Sequence, residues 1–232
     1  FTHNGYTDSG VFFGGDGAGL SLEAGTAALT GVVIAGNAGT YGGGVNISAG
    51  TLTLTNVTFS GNTALGSGAL DQGGGTVNLV NVTVARNRAS FFAAGIASRF
   101  GTLTAKNVLL SGNVHPDTGQ SLNCYKALPA DTFSLSSDAT CGLEIGRNSL
   151  ALPLEPLAMN GGLTATHLLP AGSLAIEAGT GIGCPATDQR GVARPVGAAC
   201  DVGAVEATAA DFVKHVYLPL LQRVFKTAPL GA

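Results

Sequence analysis

The sequence predicts an all-β protein: a single-stranded parallel β-helix of about 25 residues per rung, closed by a disulfide-bonded C-terminal cap. Three observations carry that expectation. Thr26, Thr51, Thr76 and Thr102 each follow a glycine, at intervals of 25, 25 and 26 residues. The phrases after them are near-copies: AALTGVVIAGN, LTLTNVTFSGN, VNLVNVTVARN and LTAKNVLLSGN. Within a phrase the apolar residues alternate with period two, and no 3.6-residue period is present. A fixed repeat of this length marks a solenoid, and period two marks strands.

The elements follow in chain order within each rung. A short strand, GVNIS at Gly44 to Ser48, points Val45 and Ile47 inward. After the glycine, Leu52 and Leu54 alternate with threonine. At Asn56 the phase shifts by one residue, and Val57 and Phe59 then alternate with Thr58 and Ser60. A shift at a single Asn reads as a tight corner, because Asn tolerates the left-handed conformation and bonds nearby backbone. Each rung thus supplies three strands and three corners. Stacked coils place Asn56, Asn81 and Asn107 in one corner column and Asn37, Asn62, Asn87 and Asn113 in another. Such columns can bond amide to amide along the axis. A leucine-rich repeat is excluded by the missing helical period. Calcium-binding nonapeptides are excluded because no Asp lies between Val32 and Leu70.

From His115 the repeat blurs. Strand-like pieces at Gln120–Asn123 and Phe133–Ser136 suggest a fifth, decorated rung. Four cysteines allow three pairings. Joining sequence neighbours, Cys124 with Cys141 and Cys184 with Cys200, closes two short loops and is the pairing expected here. The spacings do not suit zinc, and no cofactor is expected. Asp188, Arg190, Arg194 and Asp201 hold much of the charge of a Pro-rich capping stretch, where they would form a paired network; a catalytic cluster is the sharper alternative. The tail contains VYLPLLQRVF. Pro219 argues against a continuous helix, so Val216, Tyr217, Leu218, Leu220 and Leu221 read as an extended apolar strand that folds back or adds to a neighbouring molecule. The expected division is 1–150 rungs, 151–206 cap and 207–232 tail.

Composition narrows the function. Charged residues are only 11% of the chain, against roughly 25% in an ordinary domain, and the net charge is −3. No basic run supports nucleic-acid binding. No apolar stretch is long enough for a membrane span. Two disulfides imply an oxidising, extracellular or cell-surface location. The chain opens at Phe1 without a signal pattern, as a trimmed product would.

The stretch MNGGLTATHLLPAGSLAIEAG, followed by TDQRGVARP and CDVGAVE, resembles the C-terminal end of bacterial surface β-helix proteins with a choice-of-anchor region, of the pectate-lyase-like class. The resemblance covers roughly Gly42 to Glu206 and is most specific over Asn160–Glu206, where Ala165, Leu174 and Glu177 replace the more usual Pro, Pro and Asp. It implies a right-handed coil, secretion and surface attachment, usually without an assigned reaction.

For a catalytic site the rungs offer few acids: Asp16, Glu23 and Asp71. Glu23 aligns with Ser48, and Asp71 falls near the equivalent site two rungs on, which is wide for a carboxyl pair. Arg86, Arg88 and Arg99 form no evident acid–base set, and His3, His115, His167 and His215 are scattered as surface or cap residues. Tyr41, Phe91, Phe92 and Phe100 lie on outer loops. Asn46, Asn56 and Asn81 open glycosylation sequons. The expectation is therefore a non-catalytic extracellular structural protein that self-assembles into a filament, sheath or layer. Its partners are itself and, secondarily, cell-envelope polysaccharide. A polysaccharide-binding or -cleaving β-helix, or an adhesin domain of a longer protein, is the alternative.

Overall fold

A computed structural model describes residues 16–129 and 133–213, and the backbone of 6–8 and 11–13. The tail residues Val216, Tyr217, Leu218, Leu220 and Leu221 lie outside the described residues, as do His3 and His215.

The chain is a parallel β-solenoid of about five turns. It begins with an antiparallel pair, β1 (Tyr6–Asp8) and β2 (Val11–Phe13). The first rung contains β3 (Leu20–Leu22), β4 (Thr26–Thr30), β5 (Val33–Ala35) and β6 (Ala38–Gly39). The second contains β7 (Val45–Ile47), β8 (Thr51–Thr55), β9 (Thr58–Ser60) and β10 (Thr63–Ala64). The third contains β11 (Leu70–Gln72), β12 (Thr76–Val80), β13 (Thr83–Ala85) and β14 (Arg88–Ala89). The fourth contains β15 (Ile96–Ser98), β16 (Thr102–Lys106) and β17 (Leu109–Ser111), and β18 (Leu135–Ser136) continues the stack. Three strands per rung were expected; a fourth of two residues follows the second Asn corner.

Every inter-rung pairing is parallel and in register. Thr26, Thr51, Thr76 and Thr102 are consecutive Cα partners. The coil is filled by columns of like residues: Leu29, Leu54 and Leu79; Leu20, Val45, Leu70 and Ile96; Ile34, Phe59, Val84 and Leu110. Leu52, Leu54, Val57, Val77 and Val82 are fully buried. In the first rung Leu20, Leu22, Ala27, Leu29 and Val32 are half-buried, since among the described residues rungs stack on one side of them. Gln72 replaces an aliphatic in the core. Its Nε2 donates to the carbonyls of Gly75 and Thr102, and Ser98 Oγ donates to its Oε1.

The corners need positive φ. Asn56, Asn81 and Asn107 adopt φ of 52°, 51° and 52°, and the first rung places Gly31 there at 67°. At the next corner the Asn side chains form a ladder. Asn37 Nδ2 donates to Asn62 Oδ1 (2.9 Å), Asn62 Nδ2 to Asn87 Oδ1 (2.9 Å) and Asn87 Nδ2 to Asn113 Oδ1 (2.8 Å). The backbone N–H of Asn37, Asn62 and Asn87 donates to the same oxygens. The ladder runs one step further, to Asn123, which has no counterpart in the repeat (2.8 Å).

Closure is divided between two segments. The loop joined by Cys124–Cys141 covers the C-terminal end of the coil: Cys124, Cys141 and Leu128 belong to the main core, and Cys124 bridges Ile96. Residues 151–206, expected to cap that end, run back along the flank. They cover the outer face of the sheet β5–β9–β13–β17–β18, where Thr58, Thr83 and Leu109 are buried. Leu109, Leu135, Leu152, Leu169, Ala175 and Val202 form a second core there. The outward Thr and Ser positions hold the flank: Thr58 Oγ1 donates to Gln189 Oε1, Ala204 N to Thr83 Oγ1, and Ser111 Oγ to the Leu152 carbonyl. Cys184–Cys200 closes a loop within this segment. Residues 209–213 are helical.

Asn62→Ala removes an acceptor of two N–H groups and the donor to Asn87 in a fully buried ladder. Urea unfolding should show a loss of about 2–4 kcal/mol, whereas Ala at exposed Ser21 should shift stability by less than about 0.5 kcal/mol.

Candidate functional site

Functional side chains gather where loops from successive rungs meet beside β11 and β15. Tyr41 comes from the second rung's entry loop, and Phe91 and Phe92 from the fourth's. Arg99 and Phe100 follow β15, and Tyr125 and Lys126 follow the Cys124 bridge. Phe92, Arg99, Phe100, Tyr125 and Lys126 line a cavity of about 210 Å³. The Arg99 guanidinium carbon lies 5.0 Å from the Phe92 ring centre and 5.4 Å from that of Tyr41. Phe92 and Tyr125 meet edge to face at 5.3 Å. Lys126 Nζ sits 5.8 Å from the Phe100 ring centre and donates to the Arg99 carbonyl. Phe91 and Phe100 are 71% and 68% exposed, so they present ring faces to solvent.

Asp71 anchors the cleft from below. It is fully buried; its Oδ1 accepts from Arg99 Nε (3.0 Å) and Nη2 (2.6 Å), and its Oδ2 from Ser67 Oγ (2.6 Å). The expected alignment of Asp71 with Glu23 is corrected. Asp71 pairs with Asn46 and Asn46 with Ser21, so Asp71 sits two positions before the Ser48 site. Glu23 is exposed while Asp71 is enclosed, and the two do not form an opposed carboxyl pair. Arg99, read with Arg86 and Arg88 as forming no evident acid–base set, holds the ion pair of this site, with Nε and Nη2 both on Asp71 Oδ1. Sequence reasoning missed Tyr125 and Lys126 as well, since nothing local ties them to Arg99.

Asn56, Asn81 and Asn107 dock the flank. Asn56 Nδ2 donates to the Thr187 carbonyl (2.7 Å), and Asn81 Nδ2 to those of Asp201 and Gly203 (3.1 and 3.2 Å). Asn107 accepts from Thr180 N and donates to the Thr180 carbonyl, with only a long contact to Asn81 (3.3 Å). All three sequon residues, Asn46, Asn56 and Asn81, are buried, which leaves no room for a glycan on the folded chain.

The flank's charges form a buried network. Arg190 pairs with Asp188 (3.0 Å) and Asp211 (2.8 Å), and Arg194 with Glu206 (2.8 Å). Asp201 accepts from the backbone of Glu177 and Ala207. Burial pushes the Asp201 carboxyl up to about 6, against the opposing pull of those N–H groups. Each acid here is committed to backbone or arginine.

His167 accepts or donates at Nε2 with Ser60 Oγ (2.9 Å), and its Nδ1 faces the Glu155 carbonyl (2.6 Å). The carbonyl fixes the proton on Nδ1, so Ser60 donates to Nε2. The geometry is that of a nucleophile and base. Ser60 and His167 are nonetheless buried between rung and flank, so the pair acts as a tether. Burial holds the His167 pKa below its usual value, with the Glu155 carbonyl opposing and Arg86 assisting.

Among the described residues no group of three or more His, Cys, Asp or Glu is placed to hold a metal ion, and no helix is long and apolar enough to cross a membrane. No family model, curated protein or solved structure matches the chain.

Asp201 and His167 give opposite pH trends. A raised carboxyl pKa means the folded state keeps a proton that the unfolded chain has lost, so this contribution to stability falls as pH rises from about 4 to about 6. A lowered histidine pKa contributes stability above about 6.5 that is lost as pH falls below it. In Asp201→Asn the first trend should vanish. Denaturation midpoints from pH 4 to 7 should then rise more steeply with pH than in the wild type.

Proposed function

We propose that this chain is a non-catalytic, extracellular structural protein of a cell surface that holds polysaccharide in the cleft around Arg99. The observation that carries the reading is the gathering of exposed Phe100 with Tyr41, Phe92 and Tyr125 around the cations of Arg99 and Lys126. Aromatic faces pack against the C–H faces of sugar rings, and cations set beside them add orienting donors. With Asp71 counted, the cleft has a local charge of +1, from Arg99 and Lys126 against one carboxylate. Arg99 spends Nε and Nη2 on Asp71, and Nη1 has no partner among the described residues. The commitment of both Asp71 oxygens supports a binding role over acid–base work. Both disulfides support an oxidising compartment, and the Asn160–Glu206 resemblance to choice-of-anchor proteins supports surface attachment.

Affinity electrophoresis in gels cast with a panel of cell-envelope polysaccharides tests this. At least one should retard the protein, and Phe100→Ala with Lys126→Ala should restore free mobility with an unchanged unfolding midpoint. Free migration of the wild type in every gel would discard the reading.

A second reading, assembly into filaments, rests on one sheet. Three of the four sheet edges at the C-terminal end are engaged: β17 by β18, β15 by Cys124, and Val114 by Ser121. Simple stacking of open rung ends is thereby obstructed. β4 and β16 remain the outer strands of their sheet, each five residues long and alternating in the same phase. Pairing β16 of one copy with β4 of the next would continue the ladder without closing, which generates a fibre. Thr102 N donates back to Gly75, so Ala105 N faces outward. Ala105→Pro should therefore abolish concentration-dependent fibres seen by negative-stain microscopy. Dispersed wild-type monomers at high concentration would exclude assembly.

A further inference from the structure

The sheet β4–β8–β12–β16 presents an outer face that the cleft does not use and that the flank reaches at the Lys106 corner, beside Gly183. Its outward positions are Thr26, Ala28 and Thr30; Thr51, Thr53 and Thr55; Thr76, Asn78 and Val80; and Thr102, Thr104 and Lys106. They are in register across all four rungs. The inward neighbours Leu52, Leu54, Val77 and Leu79 are buried, and the outward residues of the two central strands are half-buried. Among the described residues, the flank touches this face at Lys106. Positive-φ corners bound the face on both sides, at Gly25, Gly50, Gly75 and Gly101 and at Gly31, Asn56, Asn81 and Asn107.

The result is a two-dimensional grid. Rungs repeat at about 4.8 Å and alternate residues along a strand at about 6.7 Å. Eight of the twelve grid points are threonine, which is stiff at χ1, so each of those carries a methyl and a hydroxyl in a fixed relation; Ala28, Asn78, Val80 and Lys106 hold the other four. The middle column is tied further: Thr104 Oγ1 donates to Asn78 Oδ1 (2.7 Å), and Asn78 Nδ2 lies 3.5 Å from Thr53 Oγ1. Lys106, at one corner, carries the grid's charge, and no aromatic ring interrupts it. Threonine is a common choice on exposed strands, and the neighbouring sheet has outward Thr58 and Thr83 as well, but those lie buried under the flank, so the four-rung threonine array left open is on this sheet. The corresponding outward column of β3–β7–β11–β15 reads Ser21, Asn46, Asp71 and Ala97.

We propose that this face binds ice. A rigid array of methyls and hydroxyls, with its single charge at the Lys106 corner, suits a neutral lattice with a comparable two-dimensional repeat. The hydroxyls replace lattice hydrogen bonds while the methyls confine the water between them. A charged ligand would find only Lys106, and an isolated sugar chain would find no ring to stack on. The reading is independent of the cleft.

Growth of a single ice hemisphere in a solution of the full chain, with albumin as carrier, tests it. The wild type should be enriched in the ice at least several-fold over albumin, and nanolitre osmometry should show faceted crystals with a freezing–melting gap. Thr53→Tyr, at the centre of the grid, should abolish both, with circular dichroism unchanged. Thr102→Lys, at the rim, should weaken both, and Phe100→Ala should leave them intact. Exclusion of the wild type from ice overturns the proposal. So does full activity of folded Thr53→Tyr, or retention on crystalline cellulose in place of ice.

Discussion

Each coil must turn where the previous coil turned. The side-chain ladder Asn37–Asn62–Asn87–Asn113–Asn123 imposes that condition physically. One amide oxygen accepts both the backbone and the side-chain N–H of the rung before it, and the same side chain's N–H₂ reaches the next oxygen. These groups are buried, so a rung displaced by one residue would strand them at about 1–3 kcal/mol each. A slip would also turn Leu52 and Leu54 outward and Thr53 inward. Polar and apolar columns therefore enforce the same register, and the flat faces outside inherit their regularity from it.

The flank exploits that register differently. It crosses several rungs, and at each it meets an outward residue with something to offer. His167 meets Ser60, Gln189 meets Thr58, Ala204 meets Thr83 and Leu152 meets Ser111. Asn56, Asn81 and Asn107 use their left-handed corners to aim their amides at Thr187, Asp201 and Thr180. The charges that lock the segment to itself are sealed inside it. Arg194 and Glu206 are almost wholly buried, which is tolerable because Glu206 also accepts from Val196 N and Asp201 N, and Arg194 donates to the Asp201 and Gly203 carbonyls.

The solenoid's faces thus have different chemistries. One sheet is covered by the flank, one remains flat and hydroxyl-rich, and the loops beside a third assemble a cleft of rings and cations. Rigid rungs suit such a division. The cleft draws on loops contributed by different coils, so its geometry is only as fixed as the stacking beneath it, and Asp71 fixes Arg99 from a position within the stack.

The sequence by itself determined the rung length, the inward columns and the Asn corners, because each is set by spacing along a repeating chain; the four cysteines lie outside the regular repeat and left three pairings open, and the structure has the expected local one. Val57 against Val82 or Asn56 against Asn81 can be aligned without coordinates, since one rung constrains the next. Only the tertiary structure decided what lies against the outside. Thr58 and Ser60 have the pattern of solvent-facing strand residues, and their burial depends on a segment more than 100 residues later in the chain. Asp71 and Arg99 carry no repeat signal. Their pairing, and the arrival of Tyr125 and Lys126 beside them, comes from loops whose paths are free of the 25-residue rule. Periodicity fixes what points inward, where every rung meets the same neighbour; contacts between aperiodic segments are settled only by folding in three dimensions.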